Sequence, residues 1–163
     1  MKIYIMGAAG SGKTTLAKKL SIKYQVPHFD LDKVKWENTG TYNQKRDKIE
    51  RTQMLADILK NNANWICEGV YFRDWIHPVL DAADEVIILQ PPRYLRQYRC
   101  LRRSIRRLLK LEPSKYKESF SSIYQLLRWS HDYDTKYLPL ALDKIKRDKI
   151  KYRLLKKWDE NIL

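Results

Sequence analysis

Two cysteines in 163 residues, Cys67 and Cys100, supply neither a disulfide framework nor metal-ligand spacing. A reducing, cytoplasmic setting is expected, with both thiols as packing residues. No run approaches the roughly 18 to 20 apolar residues of a membrane span, so insertion into a bilayer is not expected. Acidic residues are short as well: 19 Asp and Glu face 33 Lys and Arg, a formal net charge of +14. Such an excess favours polyanionic partners, whether nucleic acid, acidic lipid or a nucleotide. It is also local, with eleven basic residues against two acidic ones between Arg93 and Arg128. Glycine is sparse, five in the whole chain, yet three of the five fall within residues 7–12. The length suits one domain able to bury a core without staples.

Those glycines belong to Gly7-Ala8-Ala9-Gly10-Ser11-Gly12-Lys13-Thr14-Thr15, which follows the apolar segment Ile3-Tyr4-Ile5-Met6 and matches the Gly-x4-Gly-Lys-Thr phosphate-binding loop. Gly7, Gly10 and Gly12 are expected to permit positive φ angles and close backbone approach, so that successive N–H groups surround a phosphate. Lys13 supplies a point charge for β- and γ-oxygens, and the Thr14 hydroxyl is placed to ligate Mg²⁺. A helix starting at Lys13 aims its dipole at the same anion. The bland alternative is a chance turn at a helix start. Against it stand a buried strand before the loop and an amphipathic helix after it, with Leu16, Leu20 and Tyr24 on one side. A signal peptide is excluded by the short apolar part and by Lys13, Lys18 and Lys19.

Short apolar runs alternate with longer helical patterns, the mark of βα units and a parallel sheet. Strands are expected near 2–6, 26–30, 65–70, 85–90 and 149–155, and helices at 13–24, 43–61, near 73–81, 92–110, 119–137 and 139–147. Ser119 reads as an N-cap, and Pro139 suits the first turn of the last helix. Right-handed crossovers then place helices on both sheet faces and ligands at the carboxyl ends of the strands. No internal repeat is present, and no low-complexity linker longer than 112–118. In the helix at 92–110, Leu95, Tyr98, Leu101, Ile105 and Leu109 are expected to form the buried stripe. Arg96, Arg99, Arg103, Arg106 and Lys110 then share a second face, a stack of cations whose repulsion something anionic is expected to offset. For any single arginine, a solvated face is the plainer reading.

Carboxylates fall where strands should end. Asp30 and Asp32 follow the second strand, with Trp36 beyond, and Glu68-Gly69-Val70-Tyr71 closes the third, with Arg73 after it. A carboxylate there can hold Mg²⁺ through water or deprotonate an acceptor hydroxyl. Function is preferred for Asp32 and Glu68. Asp30 is equally well a turn cap. His28 reads as a packed strand residue, and His77 and His131 have no metal-ligand spacing. The strand at 85–90 ends in Gln90 where a motor-type ATPase carries aspartate.

The loop, Leu31-Asp32 with Trp36, Trp-Ile-x-Glu-Gly-x-Tyr at 65–71, Pro91-Pro92, the arginine-rich helix and Leu-Arg-Trp at 127–129 occur in one order along nearly the whole chain. In this the sequence resembles the adenylate-kinase-related proteins labelled DNA topology modulation proteins. The resemblance implies an α/β P-loop NTPase fold of nucleoside-monophosphate-kinase type. That fold is a three-layer sandwich with a five-stranded parallel sheet in the order 2-3-1-4-5, forming a single domain over 1–163 with an arginine-rich lid region at 93–128. It implies ATP and Mg²⁺ as cofactors, and catalytic roles for Lys13, Asp32, Glu68, Arg99 and Arg103. The acceptor would meet Asp32, Trp36, Gly69, Tyr71, Arg73 and Arg128. Lys156-Lys157-Trp158 stands where the family has its adenine-contacting loop.

The leading expectation is a kinase moving the γ-phosphoryl group of a nucleoside triphosphate to a nucleotide or other small acceptor. A nucleotide-gated DNA-binding protein is the alternative from another class; charge alone gives weak, sequence-independent binding to nucleic acid. Tyr116, Tyr124 and Trp129 can stack on bases, although at helical spacing they are more often core. A degenerate ATP-binding module without turnover is the third reading.

Overall fold

The computed structural model describes residues 1–37, 44–112 and 120–157. Five parallel strands lie in the order β2-β3-β1-β4-β5: β1 Lys2–Gly7, β2 His28–Asp30, β3 Trp65–Gly69, β4 Glu85–Leu89 and β5 Tyr152–Leu155. Because side chains alternate along a strand, each of the three central strands feeds two cores. Tyr4, Met6, Trp65, Cys67, Val86 and Ile88 face one, shared with helices α2 (Leu31–Lys35), α3 (Lys48–Asn61) and α4 (His77–Ala82) and with α7 (Leu138–Arg147). Ile3, Ile5, Ile66, Ile87 and Leu89 face the other, covered by Leu16, Ala17 and Leu20 of α1 (Lys13–Tyr24). The expected sheet, its order and its flanking helices are all present.

Local departures have local causes. Asp30 accepts from the Asp32 N–H at 2.9 Å and so starts α2, a short helix that the sequence pattern does not announce. At the other end of the chain Lys149, at φ +54°, turns α7 away, and β5 begins only at Tyr152. Pro139 does sit in the first turn of α7. Instead of running to 137, α6 (Phe120–Asp132) gives way to a π-helical turn at Tyr133–Tyr137. Ser119 as a cap, a helix start at 43, Lys115, Tyr116, Lys117, Trp158 and residues 113–118 of the expected linker lie outside the described residues.

The largest correction concerns α5 (Arg93–Leu108). Its buried residues are Arg96, Cys100 and Ser104, while Tyr98, Leu101, Ile105 and Leu109 of the expected buried stripe are exposed. Backbone contact decides this: a Cβ on Gly10 would lie 2.4 Å from the Arg96 carbonyl oxygen and 3.0 Å from Cys100 Sγ. A helix that approaches a loop so closely can present only backbone and small groups there, as it does with the Arg96 carbonyl and Cys100. Arg96 leaves the expected cation stack altogether. It is fully buried, lies across the Tyr133 ring, and gives Nη2 to the Asp134 carboxylate, while its Nε and Nη1 have no hydrogen-bond partner among the described residues.

Removing one member of a buried ion pair strands the other charge. Asp134→Ala is therefore expected to lower stability by about 3 kcal/mol in urea unfolding at pH 7, with Arg96→Met/Asp134→Leu regaining most of it. A loss below about 1 kcal/mol for the single variant, the value of an exposed pair, would contradict this account.

Candidate active site

The carboxyl ends of β2, β3 and β1 lie side by side, with Asp30 in register with Glu68 and Met6 with Gly69. From β1 the chain runs through Gly7 into a loop in which Gly10 has φ +76° and Gly12 φ +93°. Gly7 does not have positive φ, contrary to expectation. What it needs is space, since a Cβ there would meet Ser11 Oγ at 2.5 Å and the Leu89 carbonyl at 3.0 Å. Ser11 is buried and its Oγ makes no hydrogen bond within the described residues. Gly12 then caps α1, and Lys13, Thr14 and Thr15 form its first turn. Left-handed glycines, an orphaned hydroxyl and a helix N-terminus make a concavity of donors that fits a phosphate.

Lys13 crosses to β3. Its Nζ lies 3.5 Å from Glu68 Oε2, and His28 Nε2 lies 3.7 Å from Oε1. Both are ion-pair rather than hydrogen-bond distances, and within the described residues neither Glu68 oxygen accepts a hydrogen bond of good geometry. Burial alone would raise the Glu68 carboxyl, but His28, Lys13 and Thr14 outweigh it and hold it below its ordinary value. Asp30 moves the other way. Burial raises it, and the charges of Asp32 and Glu68 add to the rise.

Asp32 accepts from the Tyr71 hydroxyl, which itself receives Trp36 Nε1–H at 3.2 Å. The Tyr4 hydroxyl donates to the Tyr71 carbonyl at 2.6 Å and fixes its backbone. Lys35 Nζ stands over the Tyr71 and Trp36 rings at 4.3 and 5.0 Å, and Trp75 lies 5.1 Å from Tyr71 with Arg51 above it at 4.8 Å. The Lys35 ammonium is lowered in pKa by burial, with Asp32 opposing the shift. Gly69 completes the wall; a Cβ there would meet Tyr71 Cδ2 at 3.1 Å. Asp32, Trp36, Gly69 and Tyr71 thus come together as expected. Arg73 packs instead over Phe72 and Tyr137, and exposed Arg128 on α6 faces Asp132, contacts that join neither to this cluster.

From α5, Arg99 Nη1 donates to the Gly10 carbonyl at 3.3 Å. Arg99, Arg102, Arg103, Arg106 and Glu112 line an open basin of about 400 Å³, in which Arg106 is paired with Glu112 at 2.5 Å. His28, Lys35, Arg51 and Trp75 are site neighbours that sequence reading passes over. For His28 the signal was available, two residues before Asp30 on a strand, and so on the same face. Arg51 and Trp75 carry none, since they meet through tertiary packing alone. Both cysteines are free and buried, and burial pushes the Cys67 thiol up to about 12. Among the described residues no group of three His, Cys, Asp or Glu could hold a metal ion, so a metal here would rest on Thr14 and on the phosphate oxygens of a bound nucleotide.

The fold has a counterpart among solved structures. The shikimate kinase from Acinetobacter baumannii, in complex with shikimate, superposes with a TM-score of 0.60 at 22% identity, over 96% of this chain and 83% of that one. The class is thereby defined as the P-loop NTPase fold. No protein-family model matches the chain. Among curated proteins it is 30% identical over 135 residues to the "Uncharacterized protein YqaC" of Bacillus subtilis, a match covering 81% of this chain and 72% of that protein. The chain belongs to the YqaC family. Shorter matches link it to P-loop kinases: 33% identity over 69 residues with shikimate kinase of Enterococcus faecalis, and 35% over 63 residues with adenylate kinase of Lachnospira eligens. These span 41% and 30% of the two kinases.

The carboxylate shifts give a testable sign. A carboxyl raised on folding weakens the native state above its folded pKa, and the penalty vanishes below the unfolded value. Asp30→Asn keeps the cap acceptor and removes the charge, so its melting temperature is expected to match or exceed the parent at pH 7 and to converge with it in acid. Asp30→Ala also loses the cap and is expected to cost about 1 kcal/mol. An Asn variant as unstable as the Ala variant at pH 7 would overturn the assignment.

Proposed function

We propose that the protein is an ATP- and Mg²⁺-dependent phosphotransferase acting on a hydroxyl of a small acceptor, with residues 1–163 as one kinase-like domain. The observation that carries this reading is Lys13 held beside the buried, under-satisfied Glu68 at the mouth of a loop with two left-handed glycines. Bound ATP with Mg²⁺ would supply the transferable phosphoryl group and much of the neutralisation of its oxygens.

The chain's own part is positioning and charge. The loop N–H groups, Ser11 and Lys13 hold the phosphates, and the Thr14 hydroxyl offers a metal ligand at the helix N-terminus. Glu68 keeps Lys13 oriented. Asp32 receives the acceptor's proton, which requires the acceptor hydroxyl to displace that of Tyr71. Trp36, Tyr71 and Gly69 shape the acceptor pocket, and Arg73 and Arg128, which pack elsewhere, have no part in it. Arg99 and Arg103, within the lid region 93–128, add positive charge over the transferring group and exclude water. The nucleic-acid reading has in its favour the cationic face of α5 and, on α6, Tyr124 and Trp129, which are exposed rather than core. It gives no role to the cluster of Asp32, Trp36 and Tyr71 beside the phosphate loop, so the kinase reading is preferred.

Release of ADP, followed with a panel of nucleoside monophosphates and small alcohols, tests this. Lys13→Ala is expected to lower turnover by about 10²- to 10³-fold and weaken ATP binding. Asp32→Asn should lower turnover by about 10²-fold or more while leaving ATP affinity intact. Parent-like turnover by Lys13→Ala, or no ADP release by the parent with any acceptor, would contradict the proposal.

A further inference from the structure

Half of the large hydrophobic residues exposed among the described residues sit on α5 and the turn after it: Tyr94, Tyr98, Leu101, Ile105, Leu108, Leu109 and Leu111. Their exposures lie between 40% and 74% in a chain whose mean hydropathy is −0.63. The five from Tyr94 to Leu108 are spaced 4, 3, 4 and 3, the narrow seam of a coiled coil rather than the broad stripe of a core-facing helix. At 3.6 residues per turn, α5 presents three sectors roughly 120° apart. Arg96, Cys100 and Ser104 face the protein, Arg99, Arg102, Arg103 and Arg106 form the basic sector, and the seam occupies the third.

Monomers rarely leave a contiguous apolar patch larger than a few hundred Å² in water. At roughly 100 Å² of removable surface for each of these side chains, the patch approaches the about 800 Å² per partner of a standard interface. We propose that its occupant is a second copy of this chain, α5 against α5 and antiparallel. Turned end for end about an axis between Leu101 and Ile105, the seam is complementary to itself. Leu101 meets Ile105 of the other copy and Tyr98 meets Leu108, so the Tyr98 ring faces an aliphatic side chain, while Tyr94 lies toward the turn that carries Leu109 and Leu111. The arrangement leaves the basic sector and the phosphate loop open. It also sets Arg102 of the two copies near the axis, a like-charge contact that salt screens.

Sedimentation equilibrium of the full chain at low and high salt tests the pairing, with far-UV circular dichroism as the folding control. The parent is expected to show a reversible monomer–dimer equilibrium that strengthens with salt. Leu101→Arg/Ile105→Arg, changed only at exposed positions, should associate at least about a hundredfold more weakly with an unaltered spectrum. If that variant misfolds, Tyr98→Ser/Leu108→Ser removes one contact layer without adding charge and should weaken association about tenfold. A parent that stays monomeric at every concentration and salt, a dimer that the variants form equally well, or one that salt dissolves would each overturn the proposal.

Discussion

The path of the backbone through Gly10 constrains more of this molecule than any side chain does. With φ at +76° and the Arg96 carbonyl pressed against it, the loop fixes how near α5 comes to the sheet. Close approach in turn suits Cys100, with Ser104 one turn on along the same buried side, and drives Arg96 into the interior, where Asp134 takes up its charge. The same placement lets Arg99 reach the Gly10 carbonyl, and it leaves the apolar residues of α5 facing outward. Helix burial here follows from a backbone contact, and hydrophobicity is sorted around it.

A second layer of order is electrostatic. Three carboxylates, Asp30, Asp32 and Glu68, gather at the ends of β2 and β3, which raises the cost of keeping all three ionised. They are separated by their partners. Glu68 has Lys13 and His28, Asp32 has the Tyr71 hydroxyl, and Asp30 has a helix N-terminus but also the burden of its neighbours. The result is a pair of neighbouring carboxylates pushed in opposite directions, Glu68 below its ordinary value and Asp30 above it.

Much of this could be read from the chain because its signals are local. The loop motif, the buried runs at 2–7, 65–69 and 85–89 and the carboxylates that close β2 and β3 all declare themselves within a few residues. The sheet order followed from the family resemblance. Helix α5 defeated the reading because Leu101 and Ile105 have the spacing of a core stripe, and only the three-dimensional approach of Gly10 shows that the other side is buried. Lys35 and Arg51 reach the aromatic wall around Tyr71 through tertiary packing, which sequence period cannot express. His28 reads as packing from its strand alone, because its significance depends on Glu68 on the neighbouring strand.

The central claim is that residues 7–15 form a preorganised anion cradle served by Lys13. A crystal structure of the chain with a nonhydrolysable ATP analogue and Mg²⁺ tests it most directly. The triphosphate is expected inside the loop, with Ser11 and Lys13 engaged and the backbone between Gly7 and Thr15 little changed. A nucleotide bound elsewhere, or a loop filled by the protein's own side chains, would contradict it.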